Sequence, residues 1–532
     1  MRKFINIIIT IIIGAILYYF MLPALNLHNL QFYIYLVFII ITYTILDISS
    51  NNQVELFRKG RRLNYSLAPK SLTISSIIIL SIFGLIIIAN FVCSPIFNAK
   101  SYQQRIKINE DGNFTEDIQP VDFSKLPLLD RASSEVLGDR VMGQVSELVS
   151  QYNVSTQYTQ INYNDSIIRV TPLEYADPIK WLTNRKHGIV GYITVDSVNG
   201  ESKLIKLDKG MKYSTSALFN EKLERKLRFS YPTINFGKIS FEIDNDGKPY
   251  YIIPTIKYTA VGLKAKVTGV IIFDPITGDS KKYNIEDVPT WVDIAYGADL
   301  IIEQVDDWGA YKNGFLNSIF GQKNVVKTTE GYNYLAMNDD VYLYTGITSV
   351  VSDESNLGFI LTNMRTGKTT FYNVPGAEEY SAMRSAEGQV QDMGYSSTFP
   401  LLINLNGTPT YLVSLKDSSG LVKMYGFIDV KDYQKVVVTD ASKGILAAKD
   451  NYLKNTKKEP NEEELTIKEI KIDSINTANI NGYTYYYITS DNKRYKISIS
   501  LSDTLPFVKP NDTIKIGYYE PVSEIIEVEK VY

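Results

Sequence analysis

Three long apolar runs open the chain, and almost everything after them alternates. The first, from Phe4 to about Ala24, is uncharged. As a helix of about 20 residues it reaches about 30 Å, the thickness of a bilayer core. A second run, about 31–48, is slightly short but bordered by Asn29 and Asp47, and a third covers about 72–92. In lipid each satisfies its backbone only as a helix. A cleaved signal peptide fits the first run poorly, because the apolar stretch is too long and no small-x-small site follows.

Beyond residue 93 the period changes. Residues 94–130 read as a polar stalk, and the stretch from Ser133 places Val136, Leu137, Val141, Val145, Leu148 and Val149 at helical spacing, with Ser133 and Ser134 as candidate caps. Short alternating runs broken by Asn, Asp and Gly then predict antiparallel hairpins. Gly191-Tyr-Ile-Thr-Val-Asp-Ser-Val-Asn-Gly200 recurs as Gly358-Phe-Ile-Leu-Thr-Asn-Met-Arg-Thr-Gly367. Upstream, Asn164-Asp165 matches Asn338-Asp339; downstream, Asp246-Gly247 matches Asn406-Gly407. Three landmarks in one order predict a duplication. The copies run over 155–290 and 330–440, with helices from Ser214 and Glu378, inside domains of 131–290 and 330–452 separated by an insert, 291–329. A charged linker, 453–464, precedes a tail of about five alternating strands, 465–532, with a hairpin turn at Asp491-Asn492. That tail predicts a small OB-like β-barrel. The fold class expected is a membrane-anchored α+β chain: three N-terminal transmembrane helices, duplicated sheet-plus-helix modules and the barrel.

In Phe273-Asp274-Pro275-Ile276-Thr277-Gly278 the Asp can cap the turn, Pro presets its φ and Gly supplies a positive φ before the return strand. Strand, Asp-x-x-Thr-Gly, strand resembles the hairpin of PepSY domains, small α+β modules common in bacterial extracytoplasmic proteins. The resemblance implies a binding or inhibitory module, sometimes facing peptidases or the cell wall. Asn363 and Asn245 stand where an Asp is expected, and the copy at Asp429 is loose.

Charge then sets orientation and partners. Arg2 and Lys3 precede the first run, and the loop between the second and third carries Arg58, Lys59, Arg61, Arg62 and Lys70 against Glu55, whereas the connector Leu25–Leu30 has no Lys or Arg. By the positive-inside rule the N-terminus and the basic loop are cytoplasmic and the large C-terminal region is extracytoplasmic. A net charge of −3 argues against nucleic acid as a partner. One cysteine, Cys93, precludes an intramolecular disulfide framework, and two histidines, His28 and His187, leave too few ligands for a zinc site. An extracellular region without disulfides, rich in Ile, Asn, Lys and Tyr, fits a bacterium.

Chemistry is sparse, and no cofactor is implied. Asp244-Asn245-Asp246-Gly247 resembles the start of a calcium loop but lacks the later ligands. Glu303, Asp306 and Asp307 beside Trp308 have the composition of a glycosidase carboxylate pair, although such clusters are usually solvated surface. His187 lies among cations, and no nucleophile elbow or phosphate loop is present. Trp291, Trp308, Phe315 and Phe320 are the candidate partner surface, against the plainer reading of inter-domain core. The expected function is a binding or scaffold protein of the bacterial envelope whose partners are the bilayer and an envelope protein, peptide or cell-wall ligand. The rivals are an envelope hydrolase using the acidic cluster and an accessory subunit of a transport or secretion complex, for which Gly14 and Ala15 permit close helix packing.

Overall fold

The structure, a computed structural model, describes residues 2–532 except 51–69, 121, 165, 338, 351, 457–464, 481–482 and 520–523. The basic loop around Arg58, most of the charged linker, and Asp165 and Asn338 of the sequence landmarks lie outside the described residues. Three helices, α1 (Arg2–Met21), α2 (Leu30–Ser50) and α3 (Lys70–Val92), are long and apolar enough to cross a membrane. In lipid such helices gain nothing from burying apolar surface, so small residues and hydrogen bonds join them. Gly14 of α1 lets Tyr35 of α2 approach until its hydroxyl donates to the Gly14 carbonyl at 3.1 Å, and the Thr44 and Ser75 hydroxyls of α2 and α3 lie 2.6 Å apart.

The chain after α3 is no stalk. A short helix, α4 (Pro95–Gln103), follows at once, and Ile108–Gly112 pairs in parallel with strand Thr369–Tyr372. Phe114, Ile118, Phe123, Leu126 and Leu128 are buried in the main core. Their spacing fits neither a strand nor a helix, which is why the pattern reads as polar and aperiodic: the segment is a strap laid across other elements.

Four sheets share one strand order. In the first, helix Arg131–Gly143 precedes two short strands, Tyr152–Val154 and Thr159–Tyr163, which both pair with the long strand Ser166–Tyr175; strands Ile189–Asp196 and Ser202–Met211 complete it. The second follows helix Leu223–Ser230, its short strands Asn235–Phe236 and Ser240–Ile243 sharing Pro249–Tyr258 before Ala265–Phe273 and Ser280–Asn284. The third follows helix Ala298–Ala310, with Val326–Thr328 and Asn333–Met337 sharing Asp340–Ser349 before Ser352–Asn363 and Thr369–Tyr372. The fourth follows helix Glu379–Gly388, with Ser396–Ser397 and Leu401–Leu405 sharing Thr408–Lys416 before Val422–Asp429 and Val436–Asp440. The expected insert, 291–329, therefore holds the third sheet's helix and first short strand. Each expected copy spans one unit's strands except its first short strand, Tyr152–Val154 or Val326–Thr328, together with a second, complete helix-and-sheet unit.

The last hairpin of each sheet turns on the same interaction. Asp196 Oδ1 accepts from the amides of Val198 and Asn199, Asp274 Oδ1 from Ile276 and Thr277, Asn363 Oδ1 from Arg365 and Thr366, and Asp429 Oδ1 from Lys431 and Asp432. Either Asp or Asn serves because only an acceptor oxygen is needed. In the first three the turn closes at Gly200, Gly278 and Gly367, all at positive φ. The fourth is one residue longer, Asp429 N–H bonding to Lys435 where Asp196 N–H bonds to Glu201.

The tail corrects the barrel expectation. Its strands form one three-stranded and one four-stranded sheet, with no ladder closing them into a barrel among the described residues. The chain leaves the first sheet at Ile472 and enters the second at Ser474, and Ile470, Ile488, Tyr495, Ile497 and Ile516 fill the space between as in a sandwich. The hairpin at Asp491-Asn492 has both residues in the left-handed region, as a two-residue primed turn requires.

Five residues before the capping Asp or Asn, Gly191 and Gly358 lie against a neighbouring strand so closely that a Cβ would overlap the carbonyl oxygens of Ile205 and Tyr372. At Gly426, in the fourth sheet, a Cβ would meet only side-chain methyls, of Val413 at 2.9 Å and Val438 at 3.4 Å. Gly191→Ala and Gly358→Ala are each expected to cost about 1–3 kcal/mol in denaturant melts. Gly426→Ala should be much milder, since methyls yield and alanine lowers the entropy of the unfolded chain.

Candidate functional site

The body sits directly on the membrane helices. The last carbonyls of a helix have no partner within it. Arg225 Nε donates to the Tyr19 carbonyl at 3.0 Å and Arg228 Nε to the Leu22 carbonyl at 3.0 Å, while Arg228 Nη1 reaches the Ile234 carbonyl at 2.6 Å. Cations at a helix C-terminus also complement its dipole, and the Arg225 guanidinium lies 4.0 Å from the Tyr19 ring centre. The connector between α1 and α2 is bound as well: Asn26 Nδ2 donates to the Thr233 carbonyl, Asn29 Nδ2 to Asn235 Oδ1 at 2.8 Å, and Gly262 N–H to the His28 carbonyl. Asn90 of α3 exchanges two hydrogen bonds with Val261.

The acidic cluster belongs to the same junction. Glu303 and Asp307, on helix Ala298–Ala310, both pair with Arg105 from the strap and with Lys264, at 2.6 and 3.2 Å from the lysine. Asp306 accepts from the Thr328 amide and hydroxyl, and burial raises its pKa. All three carboxylates thus have structural partners. The four aromatic residues do not form one platform. Trp308 is 3% exposed within the core of the third sheet, Trp291 packs on Tyr250 at 5.0 Å, and Phe315 is half-buried. Phe320 is 81% exposed, beside exposed Leu316 and Ile319. That apolar tip follows Tyr311, whose ring meets Tyr102 edge-on, and the Tyr102 hydroxyl donates to the Cys93 carbonyl at the end of α3. His187 is exposed in a turn, and Asp244 caps a hairpin by accepting from the amides of Asp246 and Lys248.

A cavity of about 590 Å3, to which all four sheet units contribute, has no counterpart among the sequence expectations. Its wall includes Arg169 on the first long strand, Ser240 from the second unit, Tyr334 from the third and Phe399 near the fourth. Arg169 is 4% exposed, and burial pulls its pKa down to about 10, still charged at neutral pH. Its Nη2 donates to Gln160 Oε1 at 2.7 Å, whereas Arg169 Nε, Gln160 Nε2 and the Tyr158 hydroxyl have no partner. Only the position of Arg169 hints at this in sequence: a cation between Ile168 and Val170 interrupts an apolar strand.

Behind the wall lie two buried carboxyl groups. Glu242 accepts from the Asp293 amide at 2.8 Å, the Ile294 amide at 3.2 Å and the Ser240 hydroxyl at 2.9 Å. Asp293, in the otherwise unexplained segment Pro289–Asp293, accepts from the Asn162 amide, and its Oδ1 has no partner. Burial pushes Glu242 up to about 7. Burial and then the Glu242 charge hold Asp293 well above the usual range.

Comparison with models of known protein families gives no match, and comparison with curated proteins gives none either.

A carboxyl group whose folded pKa lies above its unfolded value binds its proton more tightly in the folded state. The stability Glu242 contributes is therefore complete below about pH 4.5 and lost as pH rises through about 7, on the order of 3 kcal/mol for a shift of this size. Asp293→Asn keeps an acceptor for Asn162 and removes one negative charge. Unfolding measured from pH 5 to 8 should show a flatter decline for this variant and greater stability at pH 8; an unchanged profile would refute the assignment.

Proposed function

We propose that this chain is a membrane-anchored binding or scaffold protein of the bacterial cell envelope, with its body on the extracytoplasmic side. The observation that carries the reading is the seat on the membrane helices: Arg225, Arg228 and the bound connector hold the body at the helix ends as one rigid piece. A rigid seat suits presentation of a surface at a fixed height. The cations of the loop around Arg58 support a cytoplasmic placement for that loop, and three crossings then put the body outside.

The body is, in this reading, four copies of one PepSY-like α+β module. The shared strand order and the recurring cap at Asp196, Asp274, Asn363 and Asp429 support it, as does the strand motif Gly-x-Ile before each cap. Tandem copies meeting at one place favour ligand capture between them over chemistry on any one of them. The exposed Leu316, Ile319 and Phe320 follow Tyr311, which packs on Tyr102 beside the end of α3, and support a bilayer contact as well.

Protease added to intact spheroplasts should degrade the region after about Ser94 and leave the loop around Arg58 protected. A full-length body cut only after permeabilisation would reverse the orientation and end the extracytoplasmic reading.

A further inference from the structure

Burying a guanidinium without a carboxylate partner is costly, so a fold keeps one where something else supplies the negative charge. Around the cavity, Arg131 pairs with Glu135 at 2.8 Å, Lys238 with Asp299 at 3.8 Å, and Asp130 with Lys416. Arg169 has no carboxylate within ion-pair distance among the described residues, and its one hydrogen-bond partner is an amide oxygen. Gln160 Nε2 and the Tyr158 hydroxyl are also unpaired but sealed from solvent, the hydroxyl against Gly138, so Arg169 is the lining group whose charge an occupant would answer. A lining cation with no carboxylate at ion-pair distance matches a monoanion.

We propose that this cavity binds a carboxylate-bearing small molecule or chain end, anchored on Arg169. One unbalanced charge fits a carboxylate better than a dianionic phosphate, which would bring a second negative charge beside Asp130 and Glu135. The planar guanidinium presents paired N–H donors in the geometry a carboxylate accepts. The volume, about 590 Å3, is that of an ordinary small-molecule site, and Tyr332, Tyr334 and Phe399 offer an apolar wall for the organic part. Because four units contribute, an occupant would brace them against one another, as binding to the folded state alone must. The proposal rests on the binding reading above, and it is independent of which side of the membrane the body occupies.

The test uses the full chain in nanodiscs, titrated with N-acetyl-phenylalanine, its neutral amide and inorganic phosphate, and read by thermal melting and calorimetry. The acid should raise the melting temperature, the amide should bind at least about 30-fold more weakly, and phosphate should leave the melt unchanged. Arg169→Met should melt no lower than the parent in the absence of probe and lose about 30-fold or more in affinity for the acid. Tyr158→Phe, which deletes an unpaired hydroxyl sealed from the cavity, should fold normally and bind the acid as the parent does. Equal binding of acid and amide, tighter binding of phosphate, or an unaltered affinity in Arg169→Met would overturn the proposal. No binding of any probe, together with the protease pattern expected above, would remove the ligand and leave the anchored scaffold standing.

Discussion

Two arginines at the end of a membrane helix set the position of everything else. α1 ends at Met21, and its terminal carbonyls would otherwise remain unpaired at the edge of an apolar layer. Arg225 and Arg228 come from the buried face of one short helix, Leu223–Ser230, and reach those carbonyls from the body. Arg228 simultaneously binds the Tyr231 and Ile234 carbonyls on its own side. One side chain therefore satisfies a membrane helix and the loop that begins the second sheet. Hydrogen bonds to charged donors are worth about 1.5–3 kcal/mol each, so two such residues with the Asn26, Asn29 and Asn90 contacts outweigh the freedom lost in fixing a connector of a few residues.

From that seat the body is assembled by repetition of a small physical device. A side-chain oxygen at the end of a strand captures the next two amides and turns the chain back, at Asp196, Asp274, Asn363 and Asp429 alike. Two short strands then share one long strand, leaving a break where another unit can approach. The long strand of the first unit carries Arg169 to this junction, and Gln160 lies opposite it on the paired short strand. The cavity and its cation are thus products of how the units meet. The buried Glu242 and Asp293 belong to the same seam, one on a short strand of the second unit and the other just before the third unit's helix.

How much of this the sequence discloses depends on whether the signal is periodic. The membrane helices were legible because an uncharged run of about 20 residues has few other uses. The landmarks at Gly191 and Gly358 sit in equivalent strands, each between the long strand and the last strand of its unit, and Gly247 and Gly407 both follow the second short strand. Two further occurrences are Gly269-Val-Ile, with Asp274 and Gly278 at the same spacing, and Gly426-Phe-Ile, whose turn is longer. The strap from Pro95 to Leu128 has the sequence texture of a stalk because apolar side chains that reach out irregularly to several elements leave no period. Helix Ala298–Ala310 falls in the expected insert because it lies between the matched landmarks, and its acidic cluster is neutralised by Arg105 and Lys264 from distant parts of the chain. No local pattern specifies an ion pair across some 200 residues, and none specifies a cavity bounded by four units.

The rigid seat is the claim from which the rest follows, and a cysteine pair tests it directly. Asn29 and Asn235 are joined side chain to side chain at 2.8 Å, one from the connector of the membrane helices and one from the second sheet. With Cys93 replaced by serine, Asn29→Cys and Asn235→Cys should be joined rapidly and nearly completely in native membranes by a short bifunctional thiol crosslinker. A pair that stays unlinked while the protein remains folded would contradict the seat and return the body to a tethered position.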